Sequence, residues 1–354
     1  MLGTASRMQG SEQIEGRPRV RLRRSPVHRR PSHGAATPPP NRLFLGRGPE
    51  PPPGGLMRSR PALALALAAI AALAMPAVSA AKPGAKKKGG PSYYVSLGDS
   101  LSVGVQPNSS GASVETGQGY ADQLAKLKRT KRNKLKLIKL GCGGERTDTM
   151  MVGGKCQYGK DFRIRYSSKR KGSQLSAAEH FLREHRGHIA FVTIDIGANN
   201  VDTCAKAGSV DLACINKGVA GIKADTPKII KRLRRAAGKK VRIVAMNLYD
   251  PFLADYLDPS TRPIATASLA LAGQVNGTIR DASLHSGANA IADVFGAFQS
   301  ADQTMVSYKG QSVPRDVERI CTLTWMCVPA PVGPNIHANR DGYAVIARTF
   351  KPLV

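Results

Sequence analysis

Acidic residues are scarce in this chain. Its 354 residues include 24 Asp and Glu against 53 Lys and Arg, a formal net charge of +29. So basic a chain attracts anionic partners: phospholipid headgroups, cell-wall polymers or nucleic acid. Aromatic residues are also few, at 5% of the chain, with a single tryptophan, Trp325. The densest basic run, 126–139, has no interleaved aromatics and matches no nucleic-acid module, so it reads as a solvated helix face and strand edge. Specific nucleic-acid binding is not expected. Cys-x-x-Cys is absent and no His stands at ligand spacing from a cysteine, which speaks against zinc. Neither a metal nor a cofactor is expected. The chain has no internal repeat. It also lacks the Gly-x-Ser-x-Gly elbow of one large hydrolase class.

Residues 1–56 are rich in Arg, Pro and Gly and show neither helical nor strand periodicity. They cannot bury enough apolar surface to offset their ordering entropy and read as a disordered or over-translated leader. Met57-Arg58-Ser59-Arg60 is then a short basic start. Pro61 to Met75 is an apolar run, and Ala77-Val78-Ser79-Ala80 supplies small residues for cleavage. That three-part pattern over 57–80 is a secretory signal peptide. The run falls short of the ~20 apolar residues of a comfortable membrane span. Secretion follows as the expected location, with cleavage near Ala80, a basic linker over 81–91 and one folded domain over 92–354. Removing 1–80 takes away 12 basic and 3 acidic residues and leaves a mature charge of +20.

All six cysteines lie in the mature part. An even count in an exported chain argues for disulfides, and local clustering suggests Cys142–Cys156, Cys204–Cys214 and Cys321–Cys327.

Apolar, β-prone runs at 93–97, 135–140, 190–196, 241–247 and 288–294 read as strands, several of them nearly continuous, as expected for strands buried on both faces of a parallel sheet. Helical stretches at 120–129, 177–186, 216–237, 263–286 and 341–350 alternate with them. Ser176 with Glu179 resembles a capping box opening the second helix. The β-α-β-α order implies a single three-layer α/β/α domain with about five parallel strands. The Ala-rich helix at 263–286 is read as core packing rather than as the wall of an acyl tunnel.

Three polar, Gly-rich segments each follow a strand candidate: Gly98-Asp99-Ser100-Leu101-Ser102, Gly141-Cys142-Gly143-Gly144-Glu145-Arg146-Thr147 and Gly197-Ala198-Asn199-Asn200. A parallel sheet gathers them along its carboxyl edge, where ligands bind. His337 stands just before the last helix. Taken singly, each is an ordinary turn, cap or N-terminal histidine. Their joint order on successive strand ends is what carries meaning.

The set resembles the SGNH or GDSL hydrolase superfamily, whose four blocks carry Ser, Gly, Asn and His in that chain order. The match runs through Tyr94-Val95-Ser96-Leu97-Gly98-Asp99-Ser100, the Cys142 block, Gly197-Ala198-Asn199 and the tail from Gly342 to Ala347. It covers about 92–351 and is similar to exported actinobacterial members. The resemblance implies a flavodoxin-like sheet, an ester substrate and an acyl-enzyme on Ser100 with His337 as base. It also implies an oxyanion hole built from the Ser100 and Gly144 backbone N–H groups and the Asn199 amide. Asn200 stands where most members have Asp.

The family's last block is usually Asp-x-x-His, but Pro334 stands three before His337. The Pro334 carbonyl is the expected acceptor for the imidazole Nδ1–H, with the Asn335 side-chain oxygen as a second option. The substrate is expected to be a lipid ester, at anionic lipid or cell-wall surfaces, acted on by a monomer. The alternatives are a polysaccharide O-deacetylase of the same fold and a catalytically silent, basic cell-surface binding module.

Overall fold

Five apolar runs assemble into one parallel sheet: β1 (Tyr93–Gly98), β2 (Lys136–Lys139), β3 (Ile189–Asp195), β4 (Arg242–Met246) and β5 (Ala290–Ala292). Their spatial order is β5-β4-β3-β1-β2 and every pairing is parallel. From β1 the path steps one way to β2, then crosses back to build β3, β4 and β5. This is the flavodoxin-like order, with its switch point between β1 and β3. The computed structural model describes residues 92–130, 134–158, 164–165, 172–206 and 209–354. The leader, signal peptide and linker expected over 1–91 lie outside the described residues.

Alternation along the strands divides the core in two. Tyr94, Phe191 and Val244 face one layer, where α2 (Tyr120–Lys128) and α10 (Arg340–Phe350) bury Leu124, Tyr343 and Phe350. Val95, Leu97, Val192 and Ile243 face the other, against α4 (Gln174–Glu184) and the second half of α6 (Leu212–Ala237). Both faces of the central strands are dry, which is why they read as continuous apolar runs. The edge strand β2 is different: Lys136 and Lys139 flank Leu137 and Ile138, a charged edge of the kind that discourages pairing with another chain. Lys139 is itself held by Asp122 at 3.0 Å.

The remaining helices are α1 (Ser100–Val103), α3 (Thr147–Val152), α5 (Ala198–Val201), α7 (Arg262–Leu284), α8 (Val294–Ala297) and α9 (Arg315–Leu323). The fourth helix corrects the expected cap. It begins at Gln174, and its N-cap is Ser173, whose Oγ accepts the Ser176 N–H at 3.2 Å. Ser176 is the reciprocal partner inside the first turn, accepting from the Ser173 N–H at 2.9 Å. Glu179, freed from capping, takes both ends of the Arg232 guanidinium at 3.0 and 2.6 Å. Between β5 and α10 the chain adds structure the apolar pattern did not announce. A hairpin joins Met305–Tyr308 to Gln311–Pro314, and a short ladder pairs Thr324–Trp325 with Asn335–Ala338.

Disulfides join Cys142 to Cys156, Cys204 to Cys214 and Cys321 to Cys327. Among the described residues no helix is long and apolar enough to cross a membrane.

Candidate active site

The first site element forms where β1 meets α1. Gly98 ends the strand at φ +136°, and a Cβ there would come within 2.0 Å of the Asp195 carbonyl oxygen at the end of β3. Only glycine permits that approach and that dihedral. Asp99 then caps the turn, its Oδ1 accepting the Leu101 N–H at 3.0 Å, and Ser100 stands at the first helical position. The second element follows β2. Gly144 adopts φ +74°, and the Cys142–Cys156 bridge ties down the segment that carries it. The third follows β3, with Asn199 and Asn200 in the single turn of α5.

Side-chain bonds lock these three loops together. Asn200 makes a reciprocal pair with Thr147: its Oδ1 accepts the Thr147 N–H at 3.1 Å and its Nδ2 donates to Thr147 Oγ1 at 2.9 Å. Asn199 Nδ2 donates to Asp99 Oδ2 at 3.2 Å and to the Glu145 carbonyl at 3.1 Å. Two acceptors on one side settle which end of the Asn199 amide is nitrogen.

His337 arrives from the other end of the chain, on the short strand Asn335–Ala338. The Asn335 Oδ1 accepts from the ring Nδ1 at 2.6 Å and from the His337 backbone N–H at 3.1 Å. Asn335 in turn donates to Ser113 Oγ at 3.3 Å, and Tyr249 Oη donates to the Ile336 carbonyl at 2.8 Å. The partner of Nδ1 is thus the Asn335 side chain, not the Pro334 carbonyl. An amide oxygen only accepts, so Nδ1 carries the proton and Nε2 keeps its lone pair. Burial holds the imidazole in its neutral form, pulling its pKa down to about 4.

Ser100, Gly144, Asn199 and His337 line one cavity of about 650 Å³. Its remaining walls are largely apolar, with Leu101, Val105, Leu248, Pro251 and Ile336 among them. The residues that carry Ser, Gly, Asn and His in the sequence blocks are brought together; Pro334 is not part of this lining. Among the described residues, no group of three or more His, Cys, Asp or Glu side chains is placed to hold a metal ion.

A family model described as the GDSL-like lipase/acylhydrolase family matches residues 96–345, more than half of the chain. The chain belongs to this family. Solved structures similar to it include an extracellular lipase from Streptomyces rimosus, at 20% identity and a TM-score of 0.48, over 74% of this chain and 100% of that one. An aryl esterase from M. smegmatis is similar at 13% identity and a TM-score of 0.38, over 74% and 100%. Est24, a carbohydrate acetylesterase from Sinorhizobium meliloti, is similar at 11% identity and a TM-score of 0.36, over 65% and 95%. Among curated proteins, none matches.

Beneath the site of this GDSL-family chain lies a buried polar layer that reading the blocks did not assign. Gln174 uses its side-chain amide as a strand partner: Oε1 accepts the Gly98 N–H at 2.7 Å and Nε2 donates to the Gly98 carbonyl at 2.8 Å. The same Nε2 reaches Glu145 Oε2 at 3.1 Å. Asp195 Oδ2 accepts the Asp99 N–H at 3.2 Å, and its Oδ1 accepts from Tyr120 Oη at 2.5 Å. Burial pushes the Asp99 carboxyl up to about 6, and burial with the nearby Asp99 charge raises Asp195 well above the usual carboxylate range. Burial raises Glu145 as well. A charged residue closing the apolar run Ile189–Asp195 was the one visible signal. Gln174 offered none, because it lies 76 residues from the glycine it supports.

Proposed function

We propose that this chain is a secreted carboxylic ester hydrolase that cleaves lipid esters through an acyl-enzyme on Ser100. The observation that carries this reading is the convergence of Ser100, Gly144, Asn199 and a His337 ring held neutral on one largely apolar cavity. A serine hydroxyl is a weak nucleophile and needs a base. His337 Nε2 takes the Ser100 proton as Oγ bonds to the ester carbonyl carbon. The same proton then passes to the alcohol oxygen as the C–O bond breaks. A water molecule repeats the sequence, giving its proton to Nε2, releasing the acid and restoring the serine.

Negative charge on the carbonyl oxygen falls to the Ser100 and Gly144 backbone N–H groups and to Asn199. The Asn199 amide is already engaged at 3.1 and 3.2 Å, so it would exchange the neutral Glu145 carbonyl for the oxyanion. A charge-assisted hydrogen bond is about twice as strong as a neutral one, which favours the exchange. Each such donor typically supplies ~3–4 kcal/mol of transition-state stabilisation. The apolar walls favour a lipid over a sugar ester, and the mature charge of +20 favours an anionic interface.

The test compares wild type with Ser100→Ala on p-nitrophenyl esters, on phospholipid vesicles and on acetylated xylan. Loss of esterase activity in the variant is expected, with lipid cleaved faster than xylan ester. Equal, near-zero rates for both proteins would overturn the enzyme reading. Preference for xylan would overturn the lipid part.

A further inference from the structure

A second, smaller chamber of about 70 Å³ lies beside the catalytic cavity. Asp202, Leu248, Tyr249 and Pro251 line both spaces, so the two share a wall. The far side of the small chamber is made by α7, through Leu271, Ala272 and Val275. Leu271 and Ala272 stay half-buried in mid-helix, whereas Ile264, Ala265 and Ile279 of the same helix are packed away. The Ala-rich helix therefore packs into the core through some of its residues and lines the chamber through others.

We propose that this chamber receives the acyl chain of the ester, and that Leu271 and Ala272 set the chain length it accepts. The proposal rests on the ester-hydrolase reading above. Adjacency to the cavity that holds Ser100, across the shared side chains of Asp202, Leu248, Tyr249 and Pro251, is the first argument. The second is the order of events. The alcohol must leave once His337 protonates it, so it belongs on the open side of the large cavity. The acyl group stays on Ser100 through both steps and gains from a recess of its own. The third is chemistry. The chamber walls are mainly aliphatic, and each methylene taken from water gains ~0.8 kcal/mol, about a four-fold effect on kcat/KM.

Two carboxyls, Asp202 and Asp250, also face the chamber, and no Lys or Arg among the described residues lines it. Asp250 Oδ1 accepts the Phe252 N–H at 3.0 Å, and the Ser268 side chain of α7 stands beside the same carboxyl. Burial raises both groups, Asp250 to about 6 and Asp202 well above the carboxylate range. Such walls tolerate an uncharged chain and repel one ending in a carboxylate. Size sets the remaining limit. At ~10–15 Å³ per water-sized probe position, the chamber offers room for only a few carbon atoms. Longer chains must turn out towards solvent.

The experiment measures kcat/KM for p-nitrophenyl acetate, butyrate, octanoate and laurate, and in parallel for acetate esters of linear alcohols. Wild type is compared with Ala272→Phe, which fills the chamber, and Leu271→Ala, which enlarges it. Ala272→Phe should lower the octanoate value about 10-fold or more, the worth of two or more excluded methylenes, and leave acetate unchanged. Leu271→Ala should move the optimum to longer acyl chains, and it decides the matter alone if the bulky variant fails to fold. An unchanged acyl profile in folded variants would overturn the proposal, as would a response in the alcohol series instead. Failure of the underlying reading is separately visible: Ser100→Ala would then match wild type on acetate.

Discussion

The Asn335 side-chain oxygen lies 2.6 Å from Nδ1 of His337. A neutral amide thus occupies the place where a carboxylate would orient and charge-stabilise the ring. It can select the tautomer, since it only accepts, but it brings no negative charge to support an imidazolium. In the proposed mechanism the pair is accordingly a Ser-His dyad steered by an amide.

Asn335→Leu should lower kcat on the order of 10²-fold, with little change in KM, because the ring loses its orienting acceptor. Asn335→Asp should keep or raise kcat. Steady-state kinetics on a short-chain ester reads both, and a wild-type rate for Asn335→Leu would show that another group aims the ring.

The pH dependence follows from the same pair. Burial holds His337 at about 4, so the base form persists through mildly acidic conditions. The acidic limb of kcat/KM should therefore fall well below the ~6.5 of an ordinary histidine. Asn335→Asp places an anion against Nδ1, favours the protonated ring and should move that limb upward. A pH–rate profile of the two proteins checks the direction.

Asn200 ties the loop after β3 to the loop after β2 through two bonds to Thr147. Asn200→Ala should destabilise the fold by ~1–3 kcal/mol, the cost of stranding buried polar groups, and lower kcat by loosening Asn199 and Gly144. Asn200→Asp can accept from both the Thr147 N–H and its hydroxyl and should restore most of the rate. Equal losses in the two variants would count against this bridging role.

Asp250 predicts a stability effect of opposite sign to a surface carboxylate. Its folded value of about 6 lies above the ordinary 3.8, so the folded state holds the proton more tightly. The stability this provides is complete below 3.8 and is lost as pH rises through about 6. Asp250→Asn keeps the acceptor for the Phe252 N–H without ionising. It should stabilise the protein at pH 8 by up to roughly 3 kcal/mol and by much less at pH 4. Denaturant melts at the two pH values make the comparison.

The Cys321–Cys327 bridge encloses Thr324–Trp325, the strand that pairs with the one bearing His337. Replacing both cysteines by serine should cost about 2 kcal/mol for so short a loop. Activity should fall at temperatures where the fold persists, because the ladder under His337 loosens. Circular dichroism alongside turnover separates the two losses.

Much of this architecture was legible in the residues. Runs such as Ala190–Ile196 are nearly continuous in apolar residues because both sheet faces are covered, and that points to a parallel α/β design. Polar Gly-rich segments following those runs fall on one sheet edge by geometry alone. The identity of the helix cap at Ser173 was missed by three positions, because Ser173 and Ser176 carry the same chemistry and only the backbone chooses between them. The orienter of His337 was equally open. Pro334 and Asn335 both offer an acceptor, and the turn of the strand Asn335–Ala338 against Thr324–Trp325 selects the side chain. Gln174 under Gly98 and the chamber behind Leu248 were invisible, and Asp195 showed only as a charge closing an apolar run, with nothing to say that it meets Asp99. Each depends on residues tens of positions apart that meet only after β1, β3 and α7 have packed. Periodicity and local chemistry are properties of neighbours along the chain, so the sheet, its edge and its reactive side chains can be read there. Which acceptor faces Nδ1, and where an acyl chain would lie, are properties of neighbours in space, set by long-range packing that no local pattern encodes.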